Sequence, residues 1–182
     1  MKKQLIWLVT LICCGVGVIA HAQEHLSVVL STPESQAQAD SAKVVVKITN
    51  DGDQPVAILK YKTPNWGSGL IAGNLFTVSD EAGKPVKYVG GYEDPGRVTD
   101  DMFYTIAPGQ SKSTTVNLRN YYQVAGGVYR VVFNLRLGER PGGRPMKRVG
   151  GVLVEDSDAF HTVVSNALDI KVVSGLAKSD LN

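Results

Sequence analysis

The densest strand signal in this chain is Lys43-Val44-Val45-Val46-Lys47-Ile48-Thr49, closed by Asn50-Asp51-Gly52-Asp53. β-Branched residues lose side-chain freedom in a helix and pack well on a pleated surface. An Asp-Gly pair between two apolar runs marks a hairpin or a tight turn, and the apolar run 56–61 follows it. The rhythm then repeats. Runs 75–78 and 86–89 flank Asp80-Glu81-Ala82-Gly83-Lys84-Pro85, and runs 102–106 and 113–118 flank Ala107-Pro108-Gly109-Gln110. A run at 26–32 opens the series, 128–137 is the longest, and 149–154 and 167–173 complete it. Helical periodicity is absent apart from one turn expected near 118–124. About ten short strands at this spacing predict an all-β fold, an immunoglobulin-like antiparallel β-sandwich over residues 23–174. Tyr129, at the start of the longest run, is a candidate tyrosine corner whose hydroxyl would reach back to backbone near 120–123; the other reading is an ordinary strand tyrosine.

The two ends have a different character. Lys2 and Lys3 precede an apolar stretch from Leu5 to Ala20, and Ala20-His21-Ala22 places small residues where a signal peptidase reads. A cleavable signal helix over residues 1–22 is therefore expected, with a membrane anchor or a lipid on Cys14 as rival readings. The last residues, 175–182, are expected to form a tail. The chain carries 19 basic and 17 acidic residues, a formal charge of +2. Loss of residues 1–22 removes two lysines and no acid, so the remainder is neutral. Nothing in that balance calls for a nucleic-acid partner, and no membrane contact is expected after cleavage. Both cysteines, Cys13 and Cys14, lie in the apolar stretch. The remainder cannot use disulfides and must be held by a hydrophobic core.

Catalytic residue patterns are missing from residues 23–182. Their histidines are His25 and His161, no His-Glu-x-x-His occurs, and no thiol is present. No Gly-x-Ser-x-Gly elbow precedes His161. The expectation is a protein without enzymatic activity or cofactor. Two acidic groups, Glu93-Asp94 with Asp100-Asp101 and Glu155-Asp156 with Asp158, lack calcium-loop spacing and are expected to be solvated loops. A basic stretch is a better candidate surface. Arg136, Arg140, Arg144, Lys147 and Arg148 surround Gly138-Glu139 and Pro141-Gly142-Gly143. Proline lowers the ordering cost of a loop that binds, so these residues are either a protruding loop that meets an acidic partner or a solvated hairpin tip. Trp66, in Pro64-Asn65-Trp66-Gly67-Ser68-Gly69, is either a binding anchor or an indole folded over the edge of the core.

Several short motifs occur in a telling order. They are Leu26-Ser27-Val28-Val29-Leu30, then Asn50 to Val56, then Thr63-Pro64 leading into Asn74-Leu75-Phe76. Ala107-Pro108-Gly109 follows, then Leu118, Tyr121, Gly127, Tyr129 and Val131, and finally Ser165-Asn166. In this order the chain resembles the N-terminal prodomain of the peptidyl-Lys metalloendopeptidase family, also called deuterolysin-like or aspzincin. The segment 138–164 departs from that pattern. The family's zinc ligands and catalytic glutamate have no counterpart. The resemblance implies an immunoglobulin-like sandwich and binding to a metalloprotease. The expected role is an exported, non-catalytic protein-binding domain, periplasmic or secreted, that acts as inhibitor or folding partner of a secreted metalloprotease. The alternative is a structural or adhesion-type interaction module of the cell envelope. A monomer or weak dimer is expected, because short edge strands can pair.

Overall fold

A computed structural model describes residues 25–35, 42–94 and 96–174. The expected signal helix at 1–22 and tail at 175–182 lie outside these residues. Eleven strands follow in chain order. They are β1 (Leu26–Ser31), β2 (Lys43–Asn50), β3 (Val56–Leu59), β4 (Phe76–Asp80), β5 (Phe103–Ile106) and β6 (Ser111–Asn117). Then come β7 (Gly127–Leu137), β8 (Met146–Val149), β9 (Val152–Glu155), β10 (His161–Val164) and β11 (Leu168–Val172). Every pairing is antiparallel, and the fold is all-β, consistent with a β-sandwich.

One sheet has the order β1-β2-β6. The other is built around β7, with β4 along one edge and β10 and β11 in succession along the other. Alternation along the strands fills the space between them. Val28, Leu30, Val44, Val46, Ile48 and Val116 come from the first sheet, and Phe76, Val78, Val131, Phe133, Leu135 and Ile170 from the second; all are buried in one cluster. Two smaller pairs, β3-β5 and β8-β9, complete the structure.

The turns serve a different purpose from the one their local chemistry suggests. Asn50-Asp51-Gly52-Asp53 does turn tightly, since Asn50 Oδ1 accepts from the Gly52 amide at 3.0 Å. Yet β2 and β3 do not pair. β2 joins β1 and β6, whereas β3 joins β5, so the turn carries the chain between sheets. Ala107-Pro108-Gly109-Gln110 makes the reverse passage from β5 to β6, and Asn50 touches both turns. Its amide donates to Gln110 O at 3.0 Å, and its carbonyl accepts from Gly109 N at 2.8 Å.

Three tyrosines tie loops to this frame. Tyr129 is buried, and its hydroxyl accepts from Ala125 N at 3.0 Å. This is the corner contact expected from the sequence, reached slightly later in the chain. Tyr122 accepts from Phe76 N at 3.1 Å and Tyr121 from Ile71 N at 3.2 Å. At the seam between the sheets Asn166 stands in for a strand. Its side chain accepts from Leu30 N at 2.7 Å and donates to Leu30 O at 3.1 Å, closing the β1 edge at the break between β10 and β11. An edge closed this way offers fewer free backbone groups to a second chain.

Two strand assignments need correction. Residues 86–89 are not a strand; only the bridges Ser79 to Pro85 and Tyr88 to Tyr122 form there. Pro85 has no amide to donate, and Tyr88 turns onto Tyr122 with ring centroids 5.2 Å apart. The expected single strand at 149–154 is instead the β8-β9 hairpin, bent at Gly150 and Gly151. Both glycines have positive φ, 56° and 87°, which a two-residue hairpin turn of this hand needs.

Candidate functional site

The five basic residues singled out from the sequence fall on and around the β8-β9 hairpin. They do not share one loop. Arg136 is on β7, Arg140 and Arg144 lie in the connection after it, and Lys147 and Arg148 are on β8. Four of them have side-chain contacts within the chain. The Arg136 guanidinium stacks over the Phe160 ring, 4.7 Å from its centroid. Arg144 pairs with Glu155 at 3.1 Å. Lys147 meets Asp158 at 2.6 Å and Asp156 at 3.0 Å; the first contact is aligned as a hydrogen bond, and the second is an ion pair off the bonding angle. Arg148 donates to Gly151 O across its own turn at 3.1 Å. Arg140 bonds Gly143 through its backbone. The second acidic group of the sequence is thus largely the partner of the basic stretch, and the hairpin is nearly neutral.

Neutral charge leaves apolar side chains as its main feature. Register places Met146, Arg148, Leu153 and Glu155 on one side and Lys147, Val149, Val152 and Val154 on the other. Met146, Val149, Val152 and Leu153 are each more than half exposed. Sequence reasoning passed over these four. Their signal was present, because apolar residues occupy both alternating positions on either side of Gly150-Gly151, and a half-buried strand would not need that. A two-stranded ribbon is marginal alone, so the ion pairs at its base matter.

The Lys147 contact holds the Asp158 carboxyl below its usual value of 3.8 and raises the Lys147 ammonium above 10.5. A lowered carboxyl pKa favours the paired state above the ordinary carboxyl range and loses that support as pH falls through the folded value. A raised ammonium pKa favours it below 10.5 and loses it as pH rises past the folded value. The Val154 methyl resonances should therefore stay constant at neutral pH and shift when Asp158 titrates in acid. In Lys147→Met that shift should move up towards the ordinary aspartate range; an unmoved midpoint would refute the coupling.

Trp66 stands elsewhere, in a loop locked by its neighbours. Asn65 Oδ1 accepts from Gly67 N and Ser68 N, both at 3.0 Å, and Asn65 O accepts from Gly69 N at 2.8 Å. Gly69 has φ 68°, and a side chain there would run into the Thr115 carbonyl, so the loop lies directly against β6. The indole is half-buried and meets Tyr104 edge-on with centroids 5.4 Å apart. Trp66 packs against the core, as the second of its two readings expects, and it also lines a groove of about 580 Å³ with Tyr104, Leu70 and Met102. Trp66 Nε1 and Tyr104 Oη are buried without a properly formed hydrogen bond. Burial pushes the Tyr104 hydroxyl upward, against a smaller opposing pull from nearby Thr63 and Trp66. A buried group left in this condition costs about 1–3 kcal/mol.

His25 and His161 are both exposed and far apart in sequence, and no group of three or more histidine, cysteine or acidic side chains among the described residues is placed to hold a metal. No described helix is long and apolar enough to cross a membrane. In the first acidic group, Asp94 accepts from Gly96 N, Asp100 from Gly142 N and Asp101 from the Thr99 hydroxyl.

No protein-family profile matches the chain. It is similar to a curated peptidyl-Lys metalloendopeptidase from Grifola frondosa, with 29% identity over 134 aligned residues. The match covers 66% of this chain and 38% of that protein. The similarity relates the chain to part of an enzyme, and the chain spans well under half of that relative's length.

Proposed function

We propose that this chain is an exported, non-catalytic protein-binding domain that acts on a secreted metalloprotease, as its inhibitor or folding partner. The observation that carries this reading is the β8-β9 hairpin, with Lys147 and Glu155 held in ion pairs and Met146, Val149, Val152 and Leu153 more than half exposed. Apolar side chains displayed on a narrow ribbon lose little by being exposed singly, but gain when a partner's cleft covers them together. The partial similarity to a metalloendopeptidase supplies the partner class. The missing His-Glu-x-x-His and the scarcity of histidine in residues 23–182 support a role without catalysis. The Lys2-Lys3 start and Ala20-His21-Ala22 support export. The mechanism is steric: the hairpin lies across the substrate cleft and excludes peptides.

The test is titration of the purified chain into a peptidyl-Lys metalloendopeptidase while cleavage of a lysine-containing peptide is followed. Cleavage should fall as the chain is added, or refolding yield of the protease should rise. Leu153→Asp should weaken either effect about tenfold, which is about 1.4 kcal/mol of binding. A protease unaffected in both assays overturns the proposal. Recovery of envelope proteins and no protease in a pull-down would favour the interaction-module alternative.

A further inference from the structure

The groove beside Trp66 offers three kinds of recognition together. Its apolar walls include Leu70, which is 60% exposed at the rim, and half-buried Met102. Its polar wall contains the Trp66 indole N–H and the Tyr104 hydroxyl, two donors that lie near each other and Thr63 without a well-formed hydrogen bond. Its rim carries the carboxylates of Glu93 and Asp101. Glu93 has no side-chain partner among the described residues, and its backbone is anchored to Ala72 O at 2.8 Å. Asp101 receives the Thr99 hydroxyl and its own backbone amide, with the Lys60 ammonium near enough to favour its charge, so Glu93 is the carboxylate left open. Among the described residues the one ammonium lining the groove, Lys60, is committed to the Asp101 carbonyl. Lys112 lies over the Tyr104 ring, 5.7 Å from its centroid, and does not line the groove.

A ligand that satisfies all three needs an apolar body, a carbonyl acceptor and a cation. The geometry points to a second binding site, in which this groove takes an extended peptide segment carrying a large apolar side chain next to lysine or arginine. The apolar side chain packs against Leu70 and Met102. A peptide carbonyl accepts from Trp66 or Tyr104 after a small side-chain shift that uncovers the donor. The basic side chain reaches Glu93 and Asp101. The loop that carries Trp66 and Leu70 is already locked by Asn65 and by Thr114, whose hydroxyl donates to Asn65 O at 3.2 Å, so little ordering is needed on binding. Its volume, about 580 Å³, is within the range of sites for small ligands and short peptides. This site uses none of the hairpin residues and does not rest on the protease reading.

The sequence supplies a direct probe, because Trp66 shares the chain with only one other tryptophan, Trp7. In a full chain carrying Trp7→Phe, indole fluorescence reports the groove alone. Titration with acetyl-Ala-Leu-Lys-Ala-amide should give a saturable change with a midpoint below about 1 mM. The same peptide with glutamate in place of lysine, or serine in place of leucine, should bind about tenfold more weakly or not at all. Glu93→Gln, at an exposed position where folding is not at risk, should weaken the lysine peptide about threefold or more. A flat titration overturns the proposal. Equal binding of the lysine and glutamate peptides, or unchanged affinity in Glu93→Gln, overturns it too. Lysine amide binding as tightly as the peptide would reduce the site to a cation pocket and overturn the peptide assignment.

Discussion

Asn50→Leu should lower the stability of the domain by about 2–4 kcal/mol, although leucine has the same branched skeleton and would suit a buried position. Asn50 is fully buried at the end of β2. Its side chain accepts from Gly52 N at 3.0 Å and donates to Gln54 O at 2.8 Å and Ile106 O at 2.9 Å. Leucine abandons all three groups. Gly52 and Gln54 are near the surface and can recover water, whereas the bond to Ile106 O is buried and its carbonyl cannot. That carbonyl lies at the end of β5, just before the passage to β6, so the loss is felt at both inter-sheet crossings. Asn50→Asp separates this account from simple turn preference. Aspartate keeps the acceptor for Gly52 and is a good turn residue. It cannot donate to either carbonyl and brings a charge into a buried site. Urea unfolding followed by circular dichroism should show the aspartate variant at least as damaged as the leucine variant. An Asn50→Asp domain within about 0.5 kcal/mol of the parent would show that only the turn matters.

Phe133→Ala should cost about 3–5 kcal/mol, the usual range for emptying a phenylalanine site in a core. Phe133 is fully buried at the middle of β7, the strand on which β4, β10 and β11 all assemble. Its ring meets Phe76 at 5.1 Å, and Phe76 in turn meets Tyr122 at 6.4 Å, so the cavity would open inside an aromatic stack. Relaxation is restricted because the backbone of Phe133 is held twice by Ser165, through its hydroxyl and through its amide. Phe133→Leu should recover more than half of the loss. Leu153→Ala, made on the exposed hairpin, should stay within about 0.5 kcal/mol of the parent. A Phe133→Ala domain that lost no more than the hairpin variant would mean that β7 is not the centre of the core.

The strands with the strongest pattern were legible without coordinates. β1, β2, β6 and β7 fall within a residue or two of the apolar runs that mark them, because their buried positions alternate with a period of two. β10 was missed. His161-Thr162-Val163-Val164 has little alternation and is a strand because β7 is long enough to template it. Residues 86–89 erred in the opposite direction, being apolar enough for a strand but placed after a proline and beside Tyr122, where ring packing replaced a ladder. In the candidate site, the sequence marked the charged residues, of which Arg144 and Lys147 pair with acidic neighbours, and left unmarked the apolar ones beside them. Charge is visible residue by residue; whether a charge is already spent on a neighbour depends on the hairpin register.

Alternating β-branched runs, Gly and Pro turns and the absence of cysteine after residue 22 are enough to commit this chain to a disulfide-free all-β domain, since these features act over a few residues and need no distant partner. Long-range contacts settled the rest. Asn50 became a buried node in place of a surface turn residue, and Asn166 came to close the edge of a strand 136 positions away. The Trp66 loop was set down against β6 to form a groove. Each of these depends on which surfaces meet across the sandwich, and that is set by packing among residues far apart in the chain.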